Sequence, residues 1–357
     1  MSLPTLALPE SLNYVAVFLT MGCNLNCSYC INDPVQDGSR NIKFPLKVLG
    51  KRKEMTPGEW ALALNRIPFR DDLPLTLQGG EPTLYKGIGH ILSATPHYYD
   101  ILTNFALKPA AFFAAIDGRI DKLQRDAPYP SIRVSYHKDE MDRTWGDGFS
   151  ELVQRCEGLA AFGLSVSPIK AESDVGIYMV AHPDNVAPHV SAYSGRVPFE
   201  RKEFLGVHDG KLYGTYKYPH SIDLVSSGEH NSTLECECRT SELLIDPLGF
   251  VWGCHYYLYE SWVSCGMDAK FAQLQAKNFR FDPALFVGKP FLPLGHMLDP
   301  AFTGEELTQF HFCNHYGRCV GCDTKTKNNR FQSLDDMGQA HTSVEIRNIQ
   351  WPTKKPS

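Results

Sequence analysis

The sequence predicts an α/β protein built on a parallel sheet, and three observations carry that reading. Short apolar runs rich in β-branched and aromatic residues alternate with helix-like segments through the first two thirds of the chain. The sharpest polar motifs stand just after strand-like runs, where parallel sheets with right-handed crossovers collect their chemistry. The last third, from about residue 231, changes character and becomes loop-rich and dense in cysteine.

The elements follow in order. NYVAVFLT, residues 13–20, is a buried strand by its apolar, β-branched content. TPGEWALALNRI is a helix, with Thr56 as its N-cap and Pro57 at the first helical position. LPLTLQGG, residues 73–80, is a second strand ending in a glycine turn, and YYDILTN, residues 98–104, is a third. KPAAFFAAIDG is a helix, SIRVSYH, residues 131–137, a fourth strand, and FSELVQRCEGLAAFG a helix capped by Gly163. Either LSVSPIK, residues 164–170, or GIYMVAHPDN, residues 176–185, continues the sheet. In the last third, ELLIDPLGFVWGC predicts a strand, a DPLG turn and a return strand that bring Cys238 and Cys254 together. The tail WPTKKPS is expected to fray.

Composition bounds the function. A chain of 357 residues has room for about two domains. Its 43% hydrophobic and 21% charged residues suit a folded, water-soluble protein. The net charge of −5 argues against a general nucleic-acid binder. No apolar run approaches the roughly 18 residues of a membrane span, and the N-terminus lacks the basic and apolar regions of a secretory signal. The expectation is a cytoplasmic protein with no membrane or nucleic-acid partner.

The eleven cysteines are Cys23, Cys27, Cys30, Cys156, Cys236, Cys238, Cys254, Cys265, Cys313, Cys319 and Cys322. An odd count in a long chain with no export signal argues against a disulfide framework. Clustered thiols in a reducing compartment point instead to metal. Cys156, alone within a helix-like pattern, is expected in the core.

Cys23, Cys27 and Cys30 form C-x3-C-x2-C in a loop favoured by Gly22, Asn24 and Asn26. Three thiolates can hold three corners of a cubane iron–sulfur cluster and leave its fourth iron without a protein ligand. A zinc site with a distant fourth ligand, or three unrelated thiols, are the alternatives at this point. About 50 residues on, Gly79, Gly80, Glu81 and Pro82 end the second strand. The glycines allow close backbone approach, and a glutamate can pair with an ammonium group.

Together these motifs resemble the radical S-adenosylmethionine (SAM) enzymes, whose hallmark is C-x3-C-x-aromatic-C after the first strand of a partial (β/α)6 TIM-like barrel. Tyr29 fills the aromatic position. The resemblance implies that Cys23, Cys27 and Cys30 ligate a [4Fe–4S] cluster and that SAM chelates its open iron. It implies that the backbone at Tyr29 lies beside the adenine and that Gly79–Pro82 serves the methionine amino group. Ser135 matches a hydroxyl position that contacts the SAM ribose or carboxylate, and Thr103-Asn104-Phe105 resembles a TNG turn with Phe in place of Gly. The family's fifth-strand pattern is not clean here, and Glu172 is the candidate remnant of it. The implied reaction is one-electron cleavage of SAM and removal of a hydrogen atom from an unactivated substrate carbon. A flavodoxin- or ferredoxin-type electron donor is the implied partner.

The spacing from Cys238 through Gly249 to Cys254, followed by Cys313, Cys319 and Cys322, resembles the SPASM and twitch auxiliary-cluster domains. Phe310 stands where SPASM has its next cysteine, and no cysteine follows Cys322. The resemblance therefore implies one auxiliary [4Fe–4S] cluster, with Cys238, Cys254, Cys319 and Cys322 as the simplest ligands and Cys236 and Cys313 as competitors. A zinc ribbon remains the structural alternative, and Cys265 is read as spare or structural. This divides the chain into a barrel, residues 1–230, and an auxiliary domain with its tail, residues 231–357. The substrate is a small molecule or a peptide. The first strand begins near residue 13, so no separate peptide-recognition domain is expected ahead of it, which weakens the peptide-maturase alternative. A non-catalytic iron–sulfur electron carrier or zinc protein is the competing class. Tyr136, His137 and Lys170 are candidates for moving protons, and residues 195–218 for a lid.

Overall fold

The structure is a computed structural model that describes residues 3–27, 30, 54–185, 195–204, 206–209, 211–214, 234–255, 257–258, 293–316 and 344–348. Six strands follow one another across its main sheet in chain order: β1 (Tyr14–Thr20), β2 (Leu75–Gly79), β3 (Tyr99–Thr103), β4 (Ile132–Ser135), β5 (Val175–Val180) and β6 (Phe199–Lys202). Each pairs in parallel with the next. Between them lie helices α1 (Pro57–Leu64), α2 (Ile88–Ala94), α3 (Pro109–Ala115), α4 (Lys138–Trp145) and α5 (Gly148–Gly158).

Strands that add in sequence with crossovers of one hand place their helices on one face, and the side chains divide accordingly. Val15, Val17, Leu75, Leu77, Tyr99, Ile101, Ile132, Val134 and Ile177 join Trp60, Ile91, Phe112 and Leu152 of the helices in one core. The alternate residues carry polarity. Thr76 pairs in register with Ala16 and with Asp100, Ser135 with Tyr178, and Tyr14 with Glu242, so these side chains share the opposite face with Gln78 and Arg133. A parallel sheet is ordinarily apolar on both faces. A face with buried Thr76, Gln78, Asp100 and Glu242 marks the side on which polar chemistry is accommodated.

Local signals explain the helices. Thr56 accepts a hydrogen bond from Glu59 N (3.3 Å) and Glu59 Oε2 accepts from Thr56 N (2.7 Å), a reciprocal cap that opens α1 at Pro57. Asp147 caps α5 by accepting from Ser150 N. That helix ends sooner than its apolar pattern suggests: a 3-10 turn, Leu159–Phe162, carries the chain to Gly163 at φ +90°. The competition for the fifth strand is settled for Val175–Val180; residues 164–168 form no strand.

The C-terminal part of the chain serves three sheets. β7 (Gly206–His208) and β8 (Lys211–Tyr213) form a hairpin, and β9 (Leu234–Thr240) is the centre of a three-stranded sheet with β13 (His311–Tyr316) and β14 (Val344–Arg347). β10 (Glu242–Ile245) instead lies parallel to β1 on its free side, and β11 (Phe250–Trp252) and β12 (Gly295–His296) extend the main sheet from there. The predicted strand–turn–strand is the β10–β11 hairpin. Asp246 Oδ1 fastens it by accepting from Leu248 N and Phe250 N, while Asp246 Oδ2 accepts from Trp252 Nε1.

Arg66, just past α1 and 1% exposed, ties three stretches of chain together. Its guanidinium donates to the carbonyls of Pro4 (2.8 Å), Met297 (2.7 Å), Asp299 (2.8 Å) and Phe302. Lysine presents three donors from one point and cannot span this fork. Arg66→Lys is expected to lower the unfolding free energy by about 2 kcal/mol, read from the urea midpoint, because carbonyls stay buried and unpaired. An unchanged midpoint would show that water replaces the clamp.

Candidate active site

The C-terminal edge of the sheet brings the two N-terminal motifs into contact. Pairing of β1 with β2 runs regularly to Phe18 and Gln78, then shifts so that Thr20 meets Gly79. Gly80 N donates to Thr20 O and Glu81 N to Gly22 O, both at 2.8 Å. A Cβ at Gly79 (φ +138°) would lie 2.0 Å from Thr20 O, and one at Gly80 would lie 2.3 Å from Gly22 O. Both positions need glycine because the start of the cysteine loop rests on their backbone.

Cys23, Cys27 and Cys30 are half-buried on that loop. Burial is the main cause that pushes the Cys23 thiol up to about 11 and raises Cys27 as well, and the charges of the neighbouring thiols add to it. Three such thiols ionise together only when a cation compensates them. The loop is braced from two sides. Asn104, at the end of β3, donates through Nδ2 to Asn24 Oδ1 (2.8 Å) and to Cys23 Sγ (3.7 Å), while its Oδ1 accepts from Ala106 N (3.0 Å). Glu140 of α4 accepts from Asn26 N (3.0 Å). Thr20 Oγ1 accepts from Gly22 N and donates to Glu54.

Glu81 is fully buried, and its carboxylate is a junction between strand ends. Oε1 accepts from Thr83 N (3.1 Å), Thr83 Oγ1 (2.5 Å) and Thr103 Oγ1 (2.7 Å), and Oε2 accepts from Asn104 N (2.6 Å). Burial pushes its pKa above the usual carboxylate range, against the pull of these donors. The side chain therefore locks the turn after β2 onto the turn after β3. Pro82 is buried and starts the 3-10 turn Pro82–Leu84. Ser135 ends β4, half-buried, on the polar face. Tyr29 lies outside the described residues.

The remaining N-terminal candidates divide. Tyr136 is a core residue, 2% exposed and packed edge-on against Phe149. Lys170 is ion-paired with Glu200. His137 precedes α4, and burial pulls its imidazole down to about 4, so it is neutral at pH 7. Glu172 lies in a 3-10 turn, where its Oε2 accepts from Ser167 Oγ. Cys156 is fully buried in the core, as expected.

A second thiol group forms at the three-stranded sheet. Cys236 and Cys238 lie two residues apart on β9, and Cys313 of β13 pairs in register with Cys236. The Cys238 thiol is raised first by its hydrogen bond with Cys313, then by burial and by the charges of Cys254, Cys313 and Cys236. Four predicted ligands, Cys236, Cys238, Cys254 and Cys313, are thus neighbours; Cys319, Cys322 and Cys265 lie outside the described residues. Cys236 and Cys313, weighed as competitors from the spacing, stand with Cys238 and Cys254.

Sequence reasoning missed the residue that joins this group to the sheet. His255 follows Cys254 directly, stacks on Tyr14 (6.3 Å, 25°), meets Phe18 edge-on and places Nδ1 3.4 Å from Glu242 Oε2. Burial pulls this imidazole down to about 4. The one available signal was a charged residue, Glu242, opening the otherwise apolar ELLI strand. Glu140 left no such trace, since its role depends on which loops meet; Asn104 was marked only as part of the Thr103-Asn104-Phe105 turn, and its bond to the cysteine loop was not legible. No family model matches this chain, and no curated protein sequence matches it.

Proposed function

We propose that this chain is a radical SAM enzyme that removes a hydrogen atom from an unactivated carbon of a small-molecule or peptide substrate. The observation that carries the reading is the pairing of Gly79–Glu81 with Thr20–Gly22, which seats a three-thiol loop and a glycine–glutamate turn side by side at one sheet edge. The donor set suits a cubane cluster: three soft thiols, of which Cys23 and Cys27 are disfavoured as bare anions by burial, would be compensated by a cationic core. Cys23, Cys27 and Cys30 would hold it, and with SAM bound it would supply one-electron cleavage of the cofactor.

The chain's own residues then have defined tasks. Asn104 orients Cys23 and Asn24. Glu81 holds the Gly79–Pro82 turn, so that turn's contribution to the SAM amino group is set by its backbone and by the buried carboxyl behind it. The polar face of β1–β5, with Gln78, Ser135 and Tyr178, is the surface for a polar substrate, and the sequential strand order suits a partial barrel around it. Cys236, Cys238, Cys254 and Cys313, which lie together, would be ligands of an auxiliary cluster. A flavodoxin- or ferredoxin-type protein would deliver the electron.

Anaerobic reconstitution is expected to give about eight iron and eight sulfide per chain, and SAM with a reductant is expected to yield 5′-deoxyadenosine. Cys27→Ala should lose half the iron and all of that product. Product formation by Cys27→Ala, or zinc without sulfide in the wild type, would overturn the assignment.

A further inference from the structure

Away from both thiol groups, the chain after β5 gathers two imidazoles and a carboxylate. His182 and Asp184 lie in the loop that leaves β5, and His208 ends β7. His182 Nδ1 is 3.6 Å and His208 Nε2 3.2 Å from oxygens of Asp184, and one donor atom from each of the three lies within 4.8 Å of the others. We propose that His182, Asp184 and His208 form a zinc(II) site with an open coordination position.

The geometry fits one ion. Zinc holds its ligands at about 2.0–2.1 Å in a tetrahedron, which places neighbouring donors about 3.3 Å apart, close to the two separations seen here. Two imidazoles with one carboxylate favour a borderline ion over magnesium or calcium, which take all-oxygen sites. Three protein ligands leave a fourth position for water or substrate. Asp184 is 43% exposed at its side chain whereas His182 is 6% exposed, so the carboxylate is the entry side.

The three groups are also held in advance. Asn185, 2% exposed, accepts from Lys138 N (3.0 Å) and donates to the carbonyls of Val180 (2.9 Å) and Tyr136 (3.3 Å), which fixes the loop to the ends of β4 and β5. His208 is set by the tight β7–β8 turn, with Asp209 at φ +48°. Phe204 packs edge-on to His182 at 4.4 Å, and the imidazoles cross at 4.7 Å and 77°. His208 Nε2 also lies 3.4 Å from Asp209 Oδ2, and His182 Nδ1 accepts from Asp184 N at 3.2 Å. An ion would take over from these long contacts. The site follows β5 as the cysteine loop follows β1, on the same edge of the sheet, and α4 touches both loops, through Glu140 and through Lys138 N.

The test uses the full chain with its iron–sulfur content already reconstituted. Zinc and cobalt(II) are titrated against a chromogenic chelator, for the wild type, Asp184→Asn and His208→Ala. The expected result is one equivalent bound by the wild type, weakened at least about 100-fold in each variant, with iron and sulfide unchanged. The cobalt form should show visible d–d bands without a strong thiolate charge-transfer band in the near ultraviolet. Equal binding by wild type and Asp184→Asn, a thiolate band on the added cobalt, or no added equivalent would overturn the proposal. Asp184→Asn keeps the side chain's shape, so it decides the matter should His208→Ala fail to fold.

Discussion

Phe105→Ala is expected to lower the unfolding free energy by about 3–5 kcal/mol, and Phe105→Gly by about 1 kcal/mol less. The ring is fully buried and packs edge-on against Phe112, with centroids 5.3 Å apart at 66°. Removing it forfeits that burial and leaves a cavity at the end of β3. The backbone, however, sits at φ +52°, where a side chain costs energy that glycine avoids. The usual order, in which alanine is tolerated better than glycine, should therefore be inverted here. Urea denaturation of the three proteins measures it, and a glycine variant less stable than the alanine one would disprove the left-handed strain. Ring packing thus holds a turn that resembles one built with glycine, and Asn104, which braces the cysteine loop, is the residue just before it.

Glu81→Gln is expected to lower stability by about 1–3 kcal/mol, and Glu81→Ala by more. The hydroxyls of Thr83 and Thr103 can turn to accept a hydrogen bond, but the amides of Thr83 and Asn104 can only donate. Whichever way glutamine is placed, its NH2 faces one of those amides and leaves it unpaired. Alanine leaves both unpaired and opens a cavity. The pH dependence follows from the raised pKa of the buried carboxyl. Its folded form holds the proton more tightly than the unfolded chain does. Its contribution is therefore complete below the ordinary carboxylate pKa and falls as pH rises through the elevated one, a slope the glutamine variant should lack. If Glu81→Gln melts like the wild type and loses only SAM affinity, the carboxylate acts on the ligand and not on the turn.

β1 and β5 were legible from their apolar runs, β2, β3 and β4 from apolar and β-branched residues at alternate positions, and α1 because Thr56 and Glu59 write its cap into the sequence. α4 was not legible: KDEMDRTW buries only Met141, so it has almost no apolar stripe to detect. β6, FERK, is equally polar, and its place in the sheet comes from pairing with β5 rather than from its own residues. In the candidate site, spacing alone marked the thiols and Gly79–Pro82. It could not separate a glutamate that meets a ligand from one that joins two turns, because Thr103 and Asn104 are more than twenty residues away. Nor could it connect His182 with His208, which approach only through a hairpin folded back on the end of β5.

The place of β10 has a consequence for how the protein is made. β1 leaves the ribosome well before its partner on the far side, is buried along nearly its whole length, and takes β2 on one side. Its other side waits for Glu242–Ile245. At about 5–20 residues per second, that partner emerges roughly 10–45 s later. Throughout that interval the nascent chain displays an apolar strand with one row of unpaired backbone groups, a surface on which other chains can add. The far edge of β1 is therefore closed only after translation has passed Ile245, whereas the loop bearing Cys23 can be seated earlier, by the turns after β2 and β3 and by α4.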